Sequence, residues 1–273
     1  MALRYTRRMI VSASPWWLWA PALGAAAGYG ALSLWAARLR SHHLTLLVWA
    51  TLVLHGLALA ASFSATPARF GFAPTLSVTA WLVLAVYALE TQLYPQLAAR
   101  WTLAGLGVPA VLLALWFPGT VVPSLSSPWL PLHWALGFAS YGLLGAAVAH
   151  GWMTQRTEAA IRAGGMQPTA LPLLALERLT FRFVWAAFAL LTLTLIAGWI
   201  FTSLMGPAAR WITHKSVFTA LSWAVLGALL WGRWRWGWRG RLAVRMLYAA
   251  GVLLLLGYVG SHFVLEVILH RGV

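Results

Sequence analysis

Histidine carries most of the chemistry this sequence can offer. The chain has no Cys, its four acids are Glu90, Glu158, Glu177 and Glu266 with no Asp among them, and its one lysine is Lys215. Without thiolates there are no disulfides, no Cys-ligated zinc and no iron–sulfur cluster. No spacing in the chain builds a paired-carboxylate site, a nucleophile–His–acid triad or a phosphate-cradling loop, so no catalytic residue is assigned. Eight histidines remain, and their positions along apolar runs decide what they can do.

Five of them are candidate cofactor ligands: His55, His133, His214, His262 and His270. His55 lies twelve residues beyond His43, about 18 Å along a helix and well inside hydrocarbon, where a titratable group needs a partner or a function. It reads equally as a neutral imidazole bonded to a neighbouring helix. His133 opens an apolar run beside Trp134, and His214 and Lys215 open another just after Arg210 and Trp211. His262, Glu266 and His270 recur at i, i+4 and i+8 and share one helix face. A carboxylate between two imidazoles is placed to orient one of them; the competing reading is a polar stripe sealing a helix contact. His42 and His43 read as solvated interfacial residues, and His150 as interfacial filler.

His133, His214, His262 and His270 come from three different apolar runs and fall at one end of them. Imidazoles converging among Trp and apolar walls meet the needs of bis-histidine haem ligation. A zinc or copper site, or a proton path, would use the same residue types, and composition leaves all three open.

The elements that must position these histidines are membrane helices. Hydrophobic residues make up 62% of the 273 and charged residues only 8%, against roughly 25% charge in an ordinary soluble domain, which excludes a water-soluble fold. Apolar runs of spanning length fall at about 16–35, 43–63, 75–94, 101–117, 131–153, 183–204, 216–231 and 246–269. The expected fold is all-α: one polytopic transmembrane bundle of about eight spans, residues 1–273 forming a single membrane domain. A short amphipathic helix is expected around 171–182, and 118–130 reads as an uncharged outer loop. The formal charge of +15 and the 19 Trp mark loops and membrane boundaries, not a nucleic-acid surface. Twelve of the basic residues, including Arg38, Arg100, Arg178 and Arg233, fall in loops of one side and seven on the other. The positive-inside rule makes the first side cytoplasmic and both termini external, although Arg4, Arg7 and Arg8 at the N-terminus pull against that orientation.

The second half of the chain resembles the cytochrome c assembly proteins of the CcsA/CcmC type. The resemblance runs through Leu132-His133-Trp134-Ala135-Leu136-Gly137-Phe138-Ala139-Ser140-Tyr141, the span ending Ala197-Gly198-Trp199-Ile200-Phe201, and His214-Lys215-Ser216-Val217-Phe218. It continues through Gly237-Trp238-Arg239-Gly240-Arg241 to Tyr258-Val259-Gly260-Ser261-His262-Phe263-Val264-Leu265-Glu266, covering about 129–270. Earlier spans match in hydropathy and in His55. Members that attach haem carry a Trp-rich, Asp-containing motif before the seventh-type span. Here 206–215 has one Trp and no Asp, which is more similar to the YpjD/HemX-like branch.

The resemblance implies a bacterial cytoplasmic (inner) membrane protein holding haem b near the outer face. It implies iron held by histidines, His133 matching the family's outer histidine, His55 one in the branch's second span and His270 falling near its C-terminal histidine; His214 stands where the family has an Asp-Pro-Lys element and is a candidate partner by its own position. Arg210 or Lys215 would pair a propionate, with Trp134, Trp211 and Glu266 in support. Partners implied are the lipid bilayer, haem and an apocytochrome or another assembly or haem-synthesis membrane protein. Lacking Cys, the chain is at most part of a haem lyase or a haem-delivery system. The alternatives are a regulatory or scaffolding protein for haem synthesis or oxidase maturation, and a proton-coupled transporter using His55 and Glu266, although no paired broken helices mark a midplane site.

Overall fold

The computed structural model describes residues 16–64, 69–93, 101–121, 129–164, 173–204 and 213–269. Among these the fold is helical, with eight helices of ten or more residues: α1 (Trp16–Trp35), α2 (Ser41–Ser64), α3 (Phe72–Leu93), α4 (Gly107–Trp116), α5 (Trp129–Arg162), α6 (Leu173–Leu204), α7 (His214–Trp236) and α8, which begins at Gly240 and runs to Ile268. Six of them, α2, α3, α5, α6, α7 and α8, are long and apolar enough to cross a membrane. The protein is a multi-pass membrane protein. The outward positions are apolar, as hydrocarbon requires: Leu34 is 70% exposed and Trp199 61%. The chain divides into two compact units, residues 1–77 with 101–123, and 78–100 with 124–273.

In the first unit α1 packs on α2 and α4. Small residues let the backbones approach, since membrane helices gain packing rather than water exclusion from association. A Cβ at Gly28 would overlap the Thr51 hydroxyl, and one at Gly107 would come within 2.5 Å of the Tyr29 ring. A two-residue antiparallel ladder, β1 (Arg69–Phe70) with β2 (Thr120–Val121), ties two loop ends together. Gly119 precedes β2 at φ +83, where a side chain would run into the Phe70 carbonyl.

The second unit holds the rest of α3 with α5–α8. Its core gathers Leu144, Phe181, Val184, Leu191, Leu226, Leu229, Leu247 and Leu254. Gly142 and Gly145 of α5 lie against Leu82 and Val83 of α3, each leaving 2.6 Å for a Cβ. Polar cross-links stitch the helices: Tyr141 donates to the Leu254 carbonyl at 2.5 Å, Ser222 to the Ala250 carbonyl at 2.8 Å, and the Trp223 indole N–H to the Thr192 hydroxyl at 2.8 Å.

Several helices outrun the apolar segments that announce them. α5 extends to Arg162, and α6 begins at Leu173, so that the described part of the amphipathic segment expected around 171–182, residues 173–182, forms its first turns. The basic stretch 233–245 is mostly helical, leaving a three-residue connection at Gly237–Arg239. Gly237 caps α7 in the left-handed region at φ 68, with its N–H on the Arg233 carbonyl. Arginines end an apolar run without ending a helix, because long stems carry the charge out to water. α8 changes character near its end, with π-helical turns at Leu256–Gly260 and Val264–Ile268, a distortion that often accompanies functional sites.

Candidate functional site

The cross-links of the second unit set a common level for the candidate residues. His133 precedes Tyr141 by eight residues on α5, and His262 follows Leu254 by eight on α8. Lys215 precedes Trp223 by eight on α7, and Gly198 follows Thr192 by six on α6. Each is therefore about 9–12 Å beyond a bonded rung, toward the same end of the bundle. His214, adjacent to Lys215 in the first turn of α7, is exposed. That turn is fixed by a capping box in which Thr213 and Ser216 exchange side-chain and backbone bonds.

His133 is held on one side and open on the other. Its Nδ1 lies 3.0 Å from the Thr194 carbonyl oxygen, an acceptor only, so Nδ1 carries the proton and donates. In the neutral ring Nε2 then keeps its lone pair, and it has no hydrogen-bond partner among the described residues. Gly198 makes room for the ring: a Cβ there would sit 3.0 Å from the imidazole Cε1. A ring whose far nitrogen is tied to a backbone carbonyl is oriented as metal-ligating histidines are. Trp134, next in sequence, is half-buried.

His262 is buried and bonded at both nitrogens. The Lys215 ammonium lies 2.7 Å from Nε2, and Nδ1 lies 3.1 Å from Glu266 Oε1. Tyr258 stacks on the imidazole with ring centroids 4.3 Å apart, and the Lys215 charge sits 5.1 Å from the Tyr258 centroid. The i, i+4 pairing expected for His262 and Glu266 is formed, with Lys215 of α7 as a third member. Arg210, Trp211 and His270 lie outside the described residues. Among the described residues no three His, Asp or Glu side chains gather as a bare metal ion would need.

His55 belongs to the first unit. It is 1% exposed, its Nδ1 2.8 Å from the Tyr29 hydroxyl and its Nε2 2.8 Å from the Ser77 hydroxyl. Both nitrogens are thus taken by helices packed around it. His42 and His43 are exposed, with their rings edge to face.

A pair that the sequence reading did not join is Glu90 with His150. Both are buried, at 5% and 1% exposure, and Glu90 Oε2 lies 2.8 Å from His150 Nε2. Phe183 meets the imidazole edge-on, and Glu90 Oε1 and His150 Nδ1 have no hydrogen-bond partner among the described residues. The signal was available in part: Glu90 is an acid inside an apolar run with no basic residue near it in sequence. At the same end of this unit Glu177 meets Arg233 at 2.5 Å and Arg239 at 3.7 Å.

Comparison with known proteins places the chain in a family. The sequence profile described as "Cytochrome C assembly protein" matches residues 39–269. An uncharacterized 28.8 kDa protein of Azospirillum brasilense is 30% identical over 236 residues, 81% of this chain and 86% of that protein. Inner membrane protein YpjD of Escherichia coli K12 is 30% identical over 161 residues, 57% of this chain and 60% of that protein. No solved structure matches the chain. A profile covering nearly the whole helical region, with a relative aligned over most of both lengths, establishes membership: the chain belongs to the cytochrome c assembly protein family.

Proposed function

We propose that the protein handles haem b in cytochrome c assembly, holding it at the end of the second unit where α5 and α7 begin and α8 ends. The observation that carries this reading is His133, with Nδ1 anchored on the Thr194 carbonyl, Nε2 open, and Gly198 clearing the ring. His133 would hold the iron through Nε2, with Thr194 and Gly198 positioning its ring. Among the described residues of this unit the second ligand would be His214 or His262, and His262 would serve only when Lys215 lets go of Nε2; His270 is a candidate on sequence alone. Haem is the cargo here, bringing an iron that takes imidazole and two propionates that take cations. Lys215 keeps two donors beyond its bond to His262, which suits it to a propionate alongside Arg210. Trp134, Trp211 and Glu266 complete the setting, Glu266 by holding the His262 ring.

With no Cys, thioether formation belongs to a partner, so the protein acts as a haem-delivery subunit or part of a lyase. Its place is the bacterial inner membrane, with both termini outside and the His133 end facing out. The partner is an apocytochrome or another assembly or haem-synthesis protein in the same membrane. Absorption spectra of detergent-purified protein, oxidised and dithionite-reduced, test the reading. A Soret band in the wild type that is lost in His133→Ala supports it. A protein that stays colourless under ample haem supply and binds none on titration overturns it.

A further inference from the structure

At the end of the second unit opposite His133, a groove of about 640 Å3 runs between α6 and α7, lined by Arg178, Arg182, Trp185, Ala186, Ala189 and Arg233. The α6 residues are spaced at i, i+4, i+7, i+8 and i+11, so they form one continuous helix face. That face changes chemistry along its length. Two exposed arginines one turn apart stand at the top, and the exposed ring of Trp185 with Ala186 and Ala189 forms the lower wall. From Arg178 to Ala189 is about 16 Å along the helix, leading from the charged end of α6 into its apolar span.

The charges of this groove are not balanced within the second unit. Arg233 is bonded to Glu177 and lies 3.6 Å above the Phe181 ring. Glu177 is shared with Arg239. Among the described residues Arg178 and Arg182 meet no carboxylate. Like charges one helical turn apart repel, and the cost is relieved when an anion sits between them. Guanidinium forks match phosphate oxygens, and the small side chains of Ala186 and Ala189 leave an apolar wall beside Trp185 on which an acyl chain can lie. We propose that this groove binds an anionic phospholipid, its phosphate between Arg178, Arg182 and Arg233 and one acyl chain along Ala186 and Ala189 beside Trp185. Basic pockets between membrane helices hold anionic headgroups for this reason. A free phosphate would use the arginines and leave the apolar wall unused. The site is independent of haem, and would anchor the α6–α7 pair in its membrane.

The test is native mass spectrometry of the full-length, delipidated protein titrated with dioleoyl phosphatidylglycerol, dioleoyl phosphatidylcholine or inorganic phosphate. The wild type is expected to retain a single phosphatidylglycerol adduct in preference to phosphatidylcholine. Arg178→Gln/Arg182→Gln should weaken that preference by about fivefold for each arginine removed, about 25-fold together. Ala189→Phe leaves all three charges in place and crowds the apolar wall, and it should lose the adduct as well. A double-arginine variant with undiminished preference overturns the proposal. So does an Ala189→Phe variant that binds as the wild type does, or displacement of the lipid by inorganic phosphate at equal concentration, which would assign the site to free anions.

Discussion

Lys215 donates to His262 across 2.7 Å, and the direction of that bond fixes the rest of the group. An ammonium has protons to give and no lone pair to offer, so Nε2 of His262 is the acceptor. Nδ1 therefore carries the ring proton and donates to Glu266. The three residues form a chain running from a cation through a neutral imidazole to a carboxylate, closed in by Tyr258. One turn of α7 and the π-distorted end of α8 are held together through it, at the level of His133. A residue read from sequence as a candidate ligand beside an orienting carboxylate is thus bonded at both nitrogens, and its availability is governed by Lys215.

Removing the lysine head should be costly because it strands a buried acceptor. Lys215→Met is expected to destabilise the protein by about 1–3 kcal/mol, the cost of leaving one buried polar atom unpaired. Adding His262→Phe keeps the stacking on Tyr258 but strands the largely buried Glu266 carboxylate, so Lys215→Met/His262→Phe is expected to be less stable still. Thermal unfolding in detergent measures both. A Lys215→Met protein as stable as the wild type would show that the bond contributes nothing.

Lys215 is also the only lysine, which makes its amine a site-specific reporter. A membrane-impermeant amine reagent applied to sealed, right-side-out vesicles should modify Lys215, located by peptide mapping, and His262→Ala should raise the yield by releasing Nζ. Modification confined to inverted vesicles would reverse the proposed orientation and put the His133 end inside.

Gly198 gives a test of the haem reading that leaves every histidine in place. Alanine there would bring a Cβ to 3.0 Å from the His133 ring, whereas alanine at Gly137, on the same helix as His133, meets only the Thr194 methyl at 3.7 Å. Gly198→Ala is expected to displace the imidazole, loosen its bond to Thr194 and shift or weaken the Soret band, with a packing cost of about 1–3 kcal/mol. Gly137→Ala should leave the spectrum as it is. Identical spectra for the wild type and Gly198→Val, the bulkier replacement, would remove His133 from the haem site.

The helix bodies were readable because a bilayer demands about 20 apolar residues in a row, a strong signal in 43–63 or 183–204. Helix ends were not, because Arg178, Arg233 and Arg241 interrupt hydropathy while their backbones stay helical. The π turns of α8 left no trace in residue type. Within the site, the His262–Glu266 contact followed from spacing alone, since i and i+4 must meet on any helix. The bonds from His133 to Thr194 and from Lys215 to His262 join residues 61 and 47 positions apart. Which nitrogen of a histidine stays open depends on such neighbours, and no local pattern encodes them.

A comparable distance in sequence, 60 residues, hid Glu90 and His150 from each other. Their side chains are only 6% and 2% exposed, so each needs the other: removing one partner of a buried pair leaves an uncompensated polar group, at about 3–5 kcal/mol. Replacing both by apolar residues of similar volume removes the desolvation penalty together with the bond, and is often neutral. Glu90→Leu and His150→Leu are each expected to lower stability strongly, with the double variant recovering most of the loss. Glu90 Oε1 and His150 Nδ1 have no partner among the described residues, so removing both side chains forfeits one bond between them and little else. Thermal unfolding of the four proteins in one detergent gives the coupling energy. Strictly additive single losses would show that the two side chains act independently despite the 2.8 Å between them.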